Sequence, residues 1–254
     1  MGVSGKRALP WVIGGVVLLL AAEITIGTRG TGPAPDQAKI DPPKTEPPKA
    51  PQAPQARIDA ATQAISQNPN DGKAYLKRGA AYRELQDYDH ALADESKAIE
   101  LDPHNATPHL ERAYSYGAKH DYAAEITDDN AAITLNARDI LAFADRSRAN
   151  SHKGDFNAGL VDADHALSIN SKFGPALLAR ATAHNGRGEY DAGLADATAA
   201  LANGEGASAY VARALAYEKK GQTDMAIDDY KLALTAAPSD KVAKAALERL
   251  SAGH

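Results

Sequence analysis

The stretch Leu76–Pro103, LKRGAAYRELQDYDHALADESKAIELDP, decides the fold. It runs through an Arg-Gly pair, a Tyr, an Asp-Tyr, an Ala-Leu-x-Asp and an Ala-Ile-x-Leu-Asp-Pro. The same order returns at Leu110 (LERAYSYGAKHDYAAEITDDNAAITLN), at Ala144 (ADRSRANSHKGDFNAGLVDADHALSIN), at Leu178 and at Val211. The arginines Arg78, Arg112, Arg146, Arg180 and Arg213 are spaced 34, 34, 34 and 33 residues apart. A fixed period in this range marks a solenoid. The one-residue loss falls at the polar link Asn203–Gly206, and loops tolerate deletion.

Each unit divides into two amphipathic stretches. In the first, apolar residues at Leu76, Ala80 and Tyr82 predict a helix A over about Lys73–Leu85. Ala91, Leu92, Ala98 and Ile99 predict a helix B over about Asp89–Leu101. The turn residues QDYD separate them. Pro103 ends helix B because proline cannot continue the hydrogen-bond ladder.

In this order the units resemble the tetratricopeptide repeat (TPR), a 34-residue helix-turn-helix unit. The early aromatic slot of helix A holds Tyr75, His109, Phe143, Leu177 and Tyr210. The small slot after each Arg holds Gly79, Ala113, Ser147, Ala181 and Ala214. The turn aromatic is Tyr88, Tyr122, Phe156 and Tyr190, with Thr223 the exception. The resemblance covers residues 57–254. It implies an all-α solenoid, a right-handed superhelix of five repeats at 72–105, 106–139, 140–173, 174–206 and 207–238. Residues 57–71 read as an N-terminal half-repeat helix and 239–254 as a C-terminal capping helix, since solenoids need solvating ends. The cap is expected to bury Val242, Ala245, Ala246 and Leu250.

Some slots depart from the pattern. Helix B of the family carries an aromatic four residues after its first small slot, where this chain has Glu95, Asp129, Ala163, Ala197 and, conforming, Tyr230. Glu125 replaces a small residue, and Ala137 and Ser171 replace proline. The second to fourth repeats are therefore expected to pack less tightly than the first and fifth.

The N-terminal part differs in composition. Leu9–Ile26, LPWVIGGVVLLLAAEITI, would span roughly 27 Å as a helix, close to a hydrocarbon core of ~30 Å. Lys6 and Arg7 precede it and Trp11 suits the interface. Residues 1–29 therefore read as an uncleaved signal anchor or transmembrane helix, because the residues near its end make a poor cleavage site. A cleaved, exported soluble form is the alternative. Residues 30–56 hold eight prolines and read as an extended, disordered linker.

The chain has 254 residues and a net charge of −5. Residues 1–56 carry six basic and four acidic residues; the remaining 22 basic and 29 acidic make the repeat region acidic. Such a body lacks the positive footprint of a nucleic-acid binder. There is no cysteine, so disulfides, thiolate metal sites and cysteine nucleophiles are excluded. No histidine pair has zinc spacing, and no phosphate loop or nucleophile elbow occurs. No cofactor, metal, small-molecule substrate or catalytic residue is expected.

Two sets of residues stand out. Each repeating Arg is followed 16 residues later by an acid: Arg78 and Asp94, Arg112 and Asp128, Arg146 and Asp162, Arg180 and Asp196, Arg213 and Asp229. Bidentate Arg–carboxylate geometry suits a fixed helix crossing, so these read as a structural ladder. The resemblance implies a partner groove lined by helix A. Its residues would include Leu76, Lys77, Leu110, Tyr114, Arg148, Ser151, Leu178 and Asn185. Leu76 and Ala80 stand where a chaperone-type carboxylate clamp would begin, so that clamp is not expected. An extended or helical protein segment is the expected partner. The function implied is a non-enzymatic, membrane-tethered scaffold, with the repeats on the periplasmic side of a bacterial inner membrane. An accessory subunit of an envelope enzyme is the alternative.

Overall fold

The computed structural model of the protein describes residues 53–252. The expected anchor over 1–29 and nearly all of the linker over 30–56 lie outside the described residues. Among the described residues, no helix is long and apolar enough to cross a membrane.

Twelve α-helices and no strands make up the described residues. α1 (Pro54–Gln67) is followed by the antiparallel pairs α2 (Gly72–Glu84) and α3 (Tyr88–Leu101), and α4 (Ala106–Ala118) and α5 (Tyr122–Leu135). Then come α6 (Ile140–His152) with α7 (Phe156–Ile169), and α8 (Gly174–Gly186) with α9 (Tyr190–Ala202). α10 (Ala207–Lys219) pairs with α11 (Thr223–Ala236), and α12 (Lys241–Ala252) closes the array. Each helix packs on its sequence neighbours, and α6, α8 and α10 also line up side by side.

The helix starts follow local chemistry. α1 begins three residues inside the expected linker, because Pro54 occupies the first helical turn, where its missing N–H costs no bond. The turn aromatics Tyr88, Tyr122, Phe156 and Tyr190 each open a second helix. Before three of them, Asp87, Asp121 and Asp155 cap the helix by accepting from the N–H of His90, Ala124 and Ala158 at 3.3, 3.1 and 3.1 Å.

The turns between paired helices share one backbone device. Gln86, His120, Gly154, Gly188 and Gly221 all have φ between 60° and 85°. Each lies eight residues after its repeating Arg. The following residue donates its N–H back across the turn, as Asp87 does to the Tyr82 carbonyl at 2.9 Å. The chain direction thus reverses at the same point of every pair.

The core is built largely from alanine. Ala81, Ala113, Ala149, Ala181 and Ala214 are wholly buried, and small side chains let helix axes approach closely. The looser packing expected of the middle repeats is not what the third and fourth have. The largest apolar cluster joins Phe143, Ala166, Leu167, Leu177, Ala200 and Ala209 there. Ala163 and Ala197, standing where the family carries aromatics, are fully buried because the helices close up on them.

The C-terminal cap is rotated from expectation. Ala243 and Ala246 are buried, with Leu247 and Leu250 packed beside them. Val242 is 57% exposed and Ala245 is exposed. The spacing 243, 246, 247, 250 follows the helical period more closely than 242, 245, 246, 250. Arg249, on the outer side of the cap, donates to both carboxylate oxygens of Glu218 at 2.9 and 2.8 Å.

Candidate functional site: the helix-A groove and the charges beneath it

The repeating arginines each span three helices. Arg78 donates from Nε and Nη2 to Asp94 at 2.8 and 2.7 Å. Arg112 does the same to Asp128 at 2.7 and 2.8 Å, Arg180 to Asp196 at 2.8 and 2.8 Å, and Arg213 to Asp229 at 2.7 and 2.8 Å. The fork of Arg146 meets Asp162 at 2.9 and 2.5 Å. The third donor, Nη1, reaches back into the preceding unit, to Thr62, Ser96, Asn130, Asp164 and Thr198 in turn. The back-bonded positions recur every 34 residues, and the last four stand two after the ladder Asp of the preceding unit. Sequence reading found the pairs but missed this link between units, though its periodicity was visible. The Asp side chains are 3–11% exposed and the Arg side chains 20–28%. Hydrogen bonding to the aspartates raises the arginine pKa values further, so the arginines stay charged.

The groove residues fall into two groups. Leu76, Lys77, Leu110, Arg148 and Leu178 are half-buried or exposed, and Tyr114 is 57% exposed. Lys77 lines a recess of ≈ 380 Å³ between α1 and α2. Arg148 and Leu178 line a larger groove of ≈ 650 Å³ along α6, α8, α10 and the start of α12. Its wall is apolar at Ala144, Leu178, Val211, Leu215 and Val242.

Ser151 and Asn185 are the buried members of the set, and of the two only Asn185 lines the larger groove. They are 5% and 6% exposed, and Asn185 donates to the Ala212 carbonyl at 2.8 Å. The reason lies eight residues on, where Gly159 and Gly193 stand. A Cβ on Gly159 would come within 2.7 Å of the Ser151 hydroxyl, and one on Gly193 would run into the Asn185 carboxamide. The polar side chains fill the room that each glycine leaves.

Three acids of α3 and α5 are wholly buried. Glu95, Glu125 and Asp129 have no exposed surface. Glu95 accepts from Ser115 at 2.9 Å and from Arg83, which also holds Glu111 and lies over the Tyr114 ring at 5.4 Å. Glu125 is held by Arg148, which sits 3.7 Å from Asp145. Both oxygens of Asp129 lack a hydrogen-bond partner. Burial pushes Glu95 and Glu125 up to about 7 and Asp129 up to about 9. Burial also raises Asp145, although a third of its side chain meets solvent. Buried carboxyls titrate high because the charged form loses its hydration. Among the described residues, no group of three or more His, Asp or Glu side chains could hold a metal ion.

Comparison with known proteins agrees with this architecture. Family profiles described as tetratricopeptide repeat match residues 58–106 and 207–240. No curated protein sequence matches the chain. Among solved structures, the APC/C hetero-tetramer Cut9–Hcn1 is similar at 18% identity and a TM-score of 0.68, over 78% of this chain and 39% of that one. A thermophilic TPR protein of Thermus thermophilus is similar at 21% identity and a TM-score of 0.64, over 71% of this chain and 99% of that one. YrrB, described as a TPR protein with an unusual peptide-binding site, is similar at 21% identity and a TM-score of 0.51, over 75% of this chain and 99% of that one. The described residues form an all-helical solenoid, in which residues 58–106 and 207–240 match tetratricopeptide-repeat profiles.

Proposed function

We propose that this tetratricopeptide-repeat solenoid is a non-enzymatic protein–protein interaction scaffold whose groove takes a peptide or helix of a partner. The observation that carries the reading is the ≈ 650 Å³ groove, with aliphatic side chains along one wall and Asp145, Arg148, Glu205 and Asp240 as its charged lining. Such a surface accepts an extended or helical segment through alternate side-chain anchors. It runs over helices that the ladder ties to one another, so it is largely pre-formed, which lowers the ordering cost of binding.

The five-unit reading and the tether belong to the same proposal. The apolar stretch Leu9–Ile26 supports a membrane anchor, and the eight prolines of 30–56 support a spacer between anchor and array. Basic Lys6 and Arg7 ahead of the stretch favour an inside N-terminus. The repeats would then work on the far side of the membrane, on the periplasmic face in a bacterium.

The test is a pull-down from solubilised envelope with the full chain as bait, beside a Thr182→Arg/Val242→Glu variant of the groove. A protein retained by the wild type and lost with the variant supports the scaffold. Equal recovery by both baits would place binding elsewhere and overturn the groove reading. Membrane association is read separately, by alkaline extraction of membranes and N-terminal sequencing of the retained protein.

A further inference from the structure

The charges around the groove define what kind of segment it takes, given the scaffold reading above. Asp145, Glu205 and Asp240 line it, against Arg148 as the one lining Lys or Arg. Arg148 is already engaged, by Glu125 below and Asp145 beside it. Directly beneath, Asp129 is wholly buried with both carboxylate oxygens unpartnered, and Glu125 Oε2 is likewise unpartnered. Three acids at this point therefore share one arginine, since the neighbouring Arg146 is committed to Asp162 and Asn130. Buried polar groups without partners are rare in folded proteins and ask for an explanation.

We propose that the α6–α8–α10 groove binds a protein segment that sets a lysine or arginine beside Asp145, flanked by apolar side chains along Leu178, Val211 and Val242. The cation would supply the missing positive charge over the Glu125–Asp129 pair. The aliphatic wall would bury the neighbouring side chains of the segment. Glu205 and Asp240 are spaced along the same wall and favour a second basic residue towards the C-terminal end.

The binding chemistry has a proton signature. The titratable and charged groups of the groove wall are Asp145, Arg148, His152, Glu205 and Asp240, and those coupled to them from within are Glu125 and Asp129 of α5 with Asp139 and Arg146. A cation arriving there favours ionised carboxylates. Protons are therefore released when the basic segment binds near pH 7.

The experiment uses the full chain in detergent, immobilised, and a positional-scanning library of acetylated, amidated hexapeptides. Capped ends remove the terminal charges that would confuse the readout. Pools with a fixed Lys or Arg should be retained at least about tenfold over pools with a fixed Asp or Glu, a difference of about 1.4 kcal/mol. Asp145→Asn, checked for an unchanged circular-dichroism melt, should shrink that ratio severalfold. Calorimetry of the best peptide at pH 7 in phosphate and in Tris should give different heats, the difference reporting released protons. Selection of acidic pools, or retention indifferent to charge, would overturn this inference and leave the groove reading standing. Absence of any retained pool would overturn both.

Discussion

Arg146 grips Asp162 across 16 residues with a bidentate fork, and its remaining nitrogen donates to Asn130 in the preceding helix pair at 2.5 Å. One side chain thus fixes the crossing inside a repeat and the stacking between repeats. In most solenoids those two tasks fall to apolar contacts. Here the alanine-rich core leaves shallow interfaces, and the guanidinium ties them together by direction as well as by contact.

The first prediction tests that role. Arg146→Ala leaves Asp162 as a buried, uncompensated charge, and breaking such a pair costs ~3–5 kcal/mol. The partial exposure of Arg146 places the expected loss towards the lower end. Replacing both members, as Arg146→Leu with Asp162→Leu, should recover most of it, because a well-packed apolar pair is often as stable as the ion pair. Urea unfolding of the three forms decides the matter. Single and double variants of equal stability would show that the loss came from packing and not from the stranded carboxylate.

The second concerns pH. The folded-state pKa values of Glu95, Glu125 and Asp129 are raised above their unfolded values, to about 7, 7 and 9. The native state holds these protons more tightly than the unfolded chain. Their contribution is therefore complete at low pH and is lost as pH rises through 7 and then 9. His152, lowered by burial, acts the other way and only below its ordinary value. Glu218, lowered by its bonds to Arg249, loses its contribution only in acid. Melting temperature should thus fall as pH rises from about 4.5 to 7, where all three groups contribute, and more gently from 7 to about 9, where Asp129 alone remains. Asp129→Asn cannot ionise and should flatten part of that slope, with the variant outlasting the wild type at pH 9. Parallel slopes in the two proteins would exclude Asp129 as a source.

The third uses the repeated turn. Gln86 has φ 60° at a place where three other units carry glycine. A side chain in the left-handed region costs roughly 1 kcal/mol relative to glycine. Gln86 is exposed, so Gln86→Gly removes strain without removing packing. The added freedom of the unfolded chain offsets about 0.4–1 kcal/mol of this, so the net stabilisation should be small, up to about 0.5 kcal/mol. Gly154→Ala should destabilise by a similar amount, read by the same melts.

Much of this was legible in the chain. The 34-residue period set the helix pairs, and the 16-residue Arg–Asp spacing predicted side chains that the structure brings together. Periodicity along one chain could not show where the third Arg donor goes, because that bond is fixed by stacking between units. The groove was legible only by slot. Ser151 and Asn185 occupy helix-A slots like those of Tyr114 and Arg148, yet glycines at 159 and 193 draw them inward. Glu95 and Asp129 read as departures from an aromatic pattern; that they are buried charges follows only from the helices closing over them.

The same exchange of volume gives the last prediction. The residue late in each first helix and the one eight positions on trade size: Ser151 with Gly159, Asn185 with Gly193, Glu218 with Ala226. In the α4–α5 pair the order is reversed, Gly117 facing Glu125. A Cβ on Gly117 would lie 2.7 Å from Glu125 Oε2 and 3.1 Å from Arg148 Nη2. Alanine is the better helix former by about 1 kcal/mol, yet Gly117→Ala must displace a fully buried carboxyl and the arginine that holds it. We expect it to destabilise by about 1–3 kcal/mol, the usual cost of overpacking. Gly117→Ser combined with Glu125→Gly copies the Ser151–Gly159 arrangement. It should restore the melting temperature and remove one of the groups that titrate near 7. A double variant no more stable than Gly117→Ala would show that Glu125 is needed for more than its volume, and would direct attention to its hold on Arg148 at the groove.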